Sequence, residues 1–252
     1  MKRVELSHVR LDAALFVPDY FKNICPIDDV LQGEYDFMLV GNDLRILDAG
    51  GFVGDFAIWA AHRFPGSDTV SYEPNKDAYD CMVLNTEKFK VEAHNKALSS
   101  IGEKLTLSFS KEHMGQGSVV GEHQASGETI EQEVLSDRPQ DLGKFDVVKV
   151  DTEGAELDIL RNLDLSETSA VMYEVHSESD RVELEELMKE REFVVRGYRR
   201  GIDGVGVWCW TKEEVPMYYG EKAGKLSSLY MSPVKLENDH NAKMFVEGEL
   251  LI

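Results

Sequence analysis

Between residue 45 and about residue 211, short apolar stretches typical of β-strands alternate with stretches of helical period. This alternation predicts βαβ units, and hence an α/β domain with a mostly parallel sheet covered by helices on both faces. Seven candidate strands are found: Arg45 to Ala49, Thr69 to Glu73, Val91 to Asn95, Phe145 to Asp151, Ser169 to Val175, Phe193 to Tyr198 and Val205 to Thr211. We expect all seven to belong to one sheet.

The last two candidate strands are joined by residues 199–204, a turn-rich link that is too short for a helical crossover. They should form a C-terminal antiparallel hairpin. Among the helices, we expect one capped by Asp55 that runs through His62, one over Asn75 to Asn85, and one that begins near Ser179.

A long insert, Ser99 to Gly143, separates the third candidate strand from the fourth. Within it, Lys104 to Ser110 alternates like a strand, and His113 to Ser118 is typical of a mobile glycine-rich loop. Residues 1–44 and 212–252 carry weaker signals. We therefore divide the chain into an N-terminal flanking segment (1–44), a central domain (45–211) and a C-terminal extension (212–252).

The composition narrows the range of partners. The chain has 252 residues and a formal net charge of -20, from 27 Lys and Arg against 47 Asp and Glu. Such a surface repels phosphate backbones and anionic membranes, so nucleic acids and membranes are not expected partners. No apolar signal segment follows Met1, and no apolar run is long enough to cross a bilayer, so we expect a soluble cytoplasmic protein. The sequence leaves open whether it forms a homo-oligomer.

The first candidate strand ends on a carboxylate, Asp48, and leads through Gly50 and Gly54 into a helix. Glycines at such a turn let a ligand approach the backbone. A dinucleotide pyrophosphate would be repelled by Asp48, whereas a phosphate-free cofactor with ammonium and sulfonium charges would be attracted. The turn therefore predicts S-adenosylmethionine as the cofactor.

Two further residues extend this predicted cofactor site. Glu73 closes the next strand, 25 residues after Asp48, where a carboxylate can accept hydrogen bonds from both ribose hydroxyls. Asn95 follows the third strand and either bonds the adenine amino group or stabilises the turn. The competing interpretation is structural, with Asp48 as a helix cap and Glu73 as a turn residue before Pro74.

Charged residues also cluster at the ends of the fourth and fifth strands. Strand alternation puts Lys149 and Asp151 on one side of the sheet, with Glu153 just beyond, and His176 follows the neighbouring strand. These ends lie at the edge where open α/β sheets bind ligands. Histidine can take a proton near neutral pH, so His176 is our first candidate for a general base, with Glu153 or Asp151 as the competing assignment.

The sequence leaves two further questions open about this cluster: the role of Lys149, and whether the cluster binds a metal ion. Lys149 either holds an oxygen of the acceptor or neutralises the neighbouring acids. Asp151, Glu153 and His176 are also ligand types that could gather around magnesium. We nevertheless expect no resident metal.

The segments Ile46 to Gly54, Tyr72 to Asn75 and Asp146 to Glu156 together resemble the FkbM-type methyltransferases. The resemblance extends over roughly residues 30 to 211 and includes Gly33 to Asp36, Asn95 to Ser99 and Gly117-Ser118. It implies a Rossmann-like fold and S-adenosylmethionine-dependent O-methylation of a small acceptor, such as a sugar or a natural product.

The resemblance also implies roles for individual residues. Asp48, Gly50, Gly54 and Glu73 would contact the methionine and ribose of the cofactor, while Lys149, Asp151 and Glu153 would line the transfer site. The chain departs from the family pattern at Gly51 and Phe52, where alanine and asparagine are usual, and at Leu135-Ser136, where a Leu-Asp pair is usual.

Two other functions compete with methyl transfer. One is a cofactor-binding protein that has kept the fold without the reaction. The other is a nicotinamide-dependent oxidoreductase, which would need a glycine at Phe52 and no anion at the turn.

Overall fold

The computed structural model describes residues 1–6, 13–21, 25–31, 33–37, 41–110, 113–118, 129–200, 206–215, 244–246 and 249–251. The elements up to the middle of the chain are β1 (Lys2–Leu6), β2 (Ala13–Val17), α1 (Cys25–Leu31), β3 (Arg45–Ala49), α2 (Asp55–Arg63), β4 (Asp68–Tyr72), α3 (Lys76–Asn85), β5 (Val91–His94), β6 (Ala97–Leu98), β7 (Lys104–Ser110) and β8 (His113–Ser118). The elements that follow are β9 (Thr129–Asp137), a 3-10 turn (Pro139–Asp141), β10 (Val147–Val150), α4 (Glu156–Asn162), β11 (Ala170–Val175), α5 (Glu178–Glu190), β12 (Phe193–Arg200), β13 (Gly206–Lys212), β14 (Met244–Val246) and β15 (Glu249–Leu251).

The central sheet has seven strands in the order β12-β13-β11-β10-β3-β4-β5. Strands β3, β4, β5, β10 and β11 pair in parallel, whereas β13 runs antiparallel to both of its neighbours. The predicted seven-stranded sheet and its C-terminal antiparallel hairpin are thus confirmed, and the link at residues 201–205 lies outside the described residues. Because the chain builds outward from β3 in one direction and from β10 in the other, the strand order reverses between these two strands.

Helices cover both faces of this sheet, as predicted. Residues of α1, α2 and α3 pack in one apolar cluster with Ile46, Val147 and Met172. Residues of α4 and α5 pack in a second cluster with Leu47 and Val148 on the opposite face. Alternate residues of each strand therefore face alternate layers, which explains why the central strands are apolar over nearly their whole length.

Strands β7, β8 and β9 of the insert form a second sheet together with β6, which precedes the insert, in the order β6-β9-β7-β8. The strand predicted over Lys104 to Ser110 is confirmed as β7. The prediction of a loop at His113 to Ser118 is wrong, since this segment is strand β8, paired antiparallel with β7. Its two glycines obscured the strand signal, and the pairing with a regular neighbouring strand supplies the hydrogen bonds that the local sequence does not predict.

The predicted helix over Asn75 to Asn85 is confirmed as α3, and α5 begins at Glu178, close to the predicted start near Ser179, although its cap is Ser177 rather than the predicted Ser179-Asp180. Asn75 caps α3 by accepting from the amides of Asp77 and Ala78, and Ser177 caps α5 by accepting from Asp180. The predicted cap of α2 is wrong: Gly54 holds the cap position with a φ of 89°, and Asp55 is the first helical residue, with its side chain buried.

The N-terminal segment packs onto the central domain. Ile27, Leu31, Tyr35 and Phe37 are all buried in the same apolar cluster as α2 and the sheet. Within the described part of the chain, no helix combines the length and the apolar character that crossing a bilayer requires.

Candidate active site

The predicted site residues come together at the carboxyl ends of the parallel strands, around the point where strand order reverses. Parallel pairing puts Lys149 beside Asp48 on adjacent strands, and Asp48 beside Ser71 on the next. Asp151 and His176 follow directly after β10 and β11. Open α/β sheets bind ligands at such a reversal of strand order, because the loops on either side of it diverge.

The backbone amides of the turn between β3 and α2 are already hydrogen-bonded to other groups of the protein. Gly50 N and Gly51 N both donate to the carbonyl of Tyr72, at 3.0 and 2.9 Å, and Gly54 N donates to Gly51 O at 2.8 Å. Phe52 N donates to Glu73 Oε2 at 2.8 Å. These four amides are therefore not available to cradle a phosphate, in contrast to the phosphate-binding turns of dinucleotide sites.

Backbone geometry at this turn explains its glycine content in part. Gly50 has a φ of 84°, and a Cβ atom there would lie 1.7 Å from the carbonyl oxygen of Asp151. Phe52 also has a positive φ, of 44°. Asparagine, the usual residue of the family at this position, tolerates this conformation better than phenylalanine does.

Asp48 lies deeper than the sequence predicted. Its side chain has no exposed surface, and its Oδ2 accepts a hydrogen bond from Ser71 Oγ at 2.7 Å. Its Oδ1 lies 3.2 Å from Lys149 Nζ. The expected direct contact between Asp48 and a cofactor is therefore not available in this conformation, and the carboxylate acts through the lysine and the serine that it holds.

Lys149 occupies the centre of the site, with only 3% of its surface exposed. Its Nζ donates to Gly50 O at 2.6 Å and lies 3.8 Å from Asp151 Oδ2. Burial by itself would lower the pKa of Lys149, but the charges of Asp48 and Asp151 outweigh it and raise this pKa. These contacts favour the second of the two predicted roles, the neutralisation of neighbouring acids.

Glu73 connects the first turn to the start of α3. Its two carboxylate oxygens accept from Phe52 N and Asn75 N, and 8% of its surface is exposed. Burial raises the pKa of Glu73 to about 8, although the two amides oppose the shift. Each carboxylate oxygen has a second lone pair, so Glu73 keeps the capacity to accept from a ribose hydroxyl.

Asn95 takes part in the adjacent turn. Its Nδ2 donates to the carbonyl oxygens of Glu73 and Pro74, at 2.9 and 3.1 Å. Of the two roles that the sequence left open for Asn95, these contacts favour the stabilisation of the turn.

The turn after β10 is held by a buried carboxylate, Glu156. Its Oε1 accepts from Thr152 N at 2.7 Å, and its Oε2 accepts from Gly154 N at 3.0 Å. Burial would raise the pKa of Glu156, but His176, the amide of Thr152 and the backbone amide of Glu156 itself lower it instead. Between the two amides, Glu153 has a φ of 56°, and its carboxylate faces His176. Glu156 thus positions Glu153 rather than merely favouring the helix N-terminus.

His176 lies between carboxylates on both sides of its ring. Its Nε2 is 3.2 Å from Glu153 Oε2 and 4.0 Å from Asp151 Oδ1, and its Nδ1 is 3.4 Å from Glu156 Oε1. Burial would lower the pKa of His176, but hydrogen bonds and charges from Glu153 and Glu156 outweigh it and raise the pKa to about 12. His176 therefore holds its proton at neutral pH, which disfavours the first-choice assignment of this residue as the general base.

Three acidic or phenolic residues join the site that the sequence analysis did not assign to it. Tyr35 OH donates to Asp151 Oδ2 at 3.3 Å. Glu174 Oε2 lies 3.9 Å from His176 Nε2, and burial followed by the charge of Asp151 raises the pKa of Glu174. Burial also raises the pKa of Glu34 to about 7, together with the charge of Asp151. The segment Gly33 to Asp36 was the available signal for Glu34 and Tyr35, whereas Glu174 gave none.

The site is richer in carboxylates than in cations, and this bears on what it can bind. The turn amides are engaged, and the cations Lys149 and His176 are both paired with acids. Such a donor set fits a phosphate-free cofactor that carries positive charge better than it fits a dinucleotide. Asp151, Glu153 and His176 also bring three potential metal-ligand atoms within 4.8 Å of one another.

Comparison with known proteins gives one family. The Methyltransferase FkbM domain matches residues 45–198. Methyltransferase 1 of Beauveria bassiana (strain ARSEF 2860) is 28% identical over 155 residues, which are 52% of this chain and 62% of that protein. Methyltransferase sdnD of Sordaria araneosa is 26% identical over 166 residues, covering 52% of this chain and 64% of that protein. The chain thus spans less than two thirds of either relative.

Among solved structures, precorrin-6y C5,15-methyltransferase from Geobacter metallireducens GS-15 has a TM-score of 0.47 and 14% identity. The similarity covers 79% of this chain and 94% of that one.

Proposed function

Because the chain belongs to the FkbM methyltransferase family, we propose that it transfers the sulfonium methyl group of S-adenosylmethionine to a hydroxyl oxygen of a small acceptor. A sugar or a natural product is the acceptor class that we expect. The observation that carries the proposal is the cluster of side chains at the reversal of strand order, where the turn amides are already bonded and carboxylates outnumber cations.

Residues of the first half of the sheet would hold the cofactor. Glu73 would accept from the ribose hydroxyls, and the turn from Gly50 to Gly54 would face the methionine part, with Asp48 and Lys149 fixing its shape. Asn95 supports the same wall through its bonds to Glu73 and Pro74. When bound, S-adenosylmethionine supplies an electrophilic methyl group.

Residues of the second half of the sheet would receive the acceptor. Most of the acceleration in a displacement of this kind comes from holding the acceptor oxygen in line with the methyl carbon and its leaving sulfur. Asp151, Glu153 and Glu174 line the region that faces the first turn and offer hydrogen-bond acceptors for hydroxyl groups.

The hydroxyl proton would pass to Glu153. Burial raises the pKa of Glu153, and His176 opposes the shift. A carboxylate with a raised pKa is a better base near neutral pH, and the neighbouring imidazolium would stabilise the negative charge that develops on the acceptor oxygen. The assignment of Glu153 replaces His176 as our first choice, since His176 already carries a proton.

The cofactor is tested first, because it needs no acceptor. We expect calorimetry to show S-adenosylmethionine binding, and no binding of NAD at the same concentrations. Tighter binding of NAD would support an oxidoreductase and contradict the proposal.

Transfer of a labelled methyl group is then screened over a panel of sugars and hydroxylated natural products. Cofactor binding without transfer to any of them would favour a protein that has lost the reaction.

Once an acceptor is found, Glu153→Gln should lower kcat by about 10²–10⁴-fold while the cofactor Kd stays within about threefold. The matched control is Glu87→Gln, since Glu87 is exposed and lies outside the site. His176→Ala should also lower kcat. Full turnover by both Glu153→Ala and His176→Ala would show that this route for the proton is wrong.

A further inference from the structure

Two strand ends bring three metal-ligand atoms into one small region. Asp151 and Glu153 follow β10, and His176 follows the adjacent strand β11. His176 Nε2 lies 3.2 Å from Glu153 Oε2 and 4.0 Å from Asp151 Oδ1, and the three atoms fit within 4.8 Å. Ligand atoms that each lie roughly 2.0–2.3 Å from one ion are separated from one another by distances similar to those given above. These three atoms can therefore bind a single cation with little movement.

The histidine is already oriented for such a role. Glu156 is 1% exposed and lies behind the ring, 3.4 Å from Nδ1, and the amides of Thr152 and Gly154 fix its carboxylate. A carboxylate on one ring nitrogen sets the tautomer and points the other nitrogen at a metal, as in carboxylate–histidine–metal arrangements. A cation that binds Nε2 would displace the proton that His176 holds in the unliganded protein. Glu156 is thus a positioning residue for Nε2, on the opposite side of the ring from Asp151 and Glu153.

The charges around His176 also favour a bound cation. Four carboxylates, those of Asp151, Glu153, Glu156 and Glu174, lie within 4.0 Å of the one imidazole. A further cation, Lys149, lies 3.8 Å from Asp151 but is closer to Asp48, at 3.2 Å, and donates to Gly50, so it offsets only part of this charge. Negative charge concentrated in a largely buried region is costly, and a divalent cation would offset it.

We propose that Asp151, Glu153 and His176 form a binding site for a divalent cation of the Mn²⁺ or Mg²⁺ class. Two carboxylates and one imidazole suit Mn²⁺ in particular, and water would fill the remaining positions. The expectation of no resident metal is thereby replaced.

The cation site does not depend on the proposed function, but one consequence of it rests on that function. An ion at this position could bind the acceptor hydroxyl and lower its pKa, in which case the metal rather than Glu153 would promote deprotonation. Methyl transfer itself is compatible with either route, so the cation is tested by binding, independently of turnover.

The test uses Mn²⁺ as a probe of the protein after a chelator has removed any bound metal. Electron paramagnetic resonance titration should show one tight site per chain. Asp151→Asn and Glu153→Gln should each weaken it at least tenfold, and Glu87→Gln should leave it unchanged. Electron spin echo envelope modulation should show coupling of the bound Mn²⁺ to one ¹⁴N nucleus, and this coupling should disappear in His176→Gln.

Circular dichroism and thermal melting identify any variant that fails to fold, and the nitrogen coupling of the unmodified protein keeps the proposal testable in that case. Absence of a stoichiometric Mn²⁺ site, a site without nitrogen coupling, or a site equally strong in folded Asp151→Asn and Glu153→Gln would each overturn it. None of these outcomes depends on whether an acceptor has been found.

Discussion

Burial decides which chemistry the charged side chains at the strand ends can perform. Asp48 and Lys149 are almost fully enclosed and pair with each other, so they organise the site from behind. Asp151 and Glu153 keep 25% and 18% of their side-chain surface exposed and remain accessible to a ligand. Charged residues near the carboxyl ends of adjacent strands therefore divide into enclosed supporting groups and groups that remain accessible.

Asp55 offers a residue-scale test of this burial. Burial raises the pKa of Asp55 to about 7, with Lys149 opposing the shift and Asp48 adding to it. Between the ordinary pKa and this raised value, the folded protein holds a proton that the unfolded chain releases. The contribution of Asp55 to stability is therefore greatest at low pH and is lost as the pH rises through about 7.

Asp55→Asn removes this pH dependence. The free energy of unfolding of the unmodified protein should fall, relative to that of the variant, by about 1.4 kcal/mol per pH unit between about pH 5 and about pH 7. Urea denaturation of both proteins across this range measures the difference. A constant difference would show that Asp55 does not carry a raised pKa.

The turn between β3 and α2 shows how one element constrains its neighbour across the sheet. Gly50 combines a φ of 84° with a close approach to the Asp151 backbone, so its conformation ties the first turn to the turn after β10. The two halves of the site that we propose to hold the cofactor and the acceptor thus meet at a backbone contact. A side chain at Gly50 would separate them.

Gly50→Ala should lower the free energy of unfolding by more than about 2 kcal/mol, because the added Cβ meets backbone atoms and the φ is unfavourable for alanine. Gly41→Ala is the matched control, since its Cβ would meet only the movable end of the Leu44 side chain. We expect the control to cost less than about 1 kcal/mol in urea denaturation. Equal losses in the two variants would contradict the role of the backbone contact.

At the scale of the whole molecule, the charge of -20 at pH 7 opposes the compact state by self-repulsion. Thermal denaturation at neutral pH should therefore give a Tm that rises by a few degrees between about 20 mM and about 500 mM NaCl, as screening increases. The rise should vanish near pH 4.7, where the net charge approaches zero. A Tm that does not change with salt at neutral pH would show that opposite charges are paired well enough to cancel the repulsion.

How much of the structure the sequence predicts depends on whether the stabilising interactions are local or join residues distant in the chain. The predicted strand Arg45 to Ala49 coincides with β3, and Lys104 to Ser110 coincides with β7, because alternation of apolar residues is a local signal. Strand β8 was missed, since its stability comes from pairing with β7 rather than from its own residues. Tyr35 and Glu174 were missed as site residues because only the folded chain brings them to Asp151 and His176.

The sequence by itself determined the α/β class, the parallel core of the sheet and the set of residues at the strand ends, because strand period and chain order are local properties. Only the tertiary structure decided which of those residues are enclosed and which keep exposed surface. The depth of Asp48, the pairing of Lys149 and the carboxylates on both sides of His176 all depend on neighbours distant in the chain. Solvation and pairing of a charge are set by its three-dimensional surroundings, and these fix its pKa and its role.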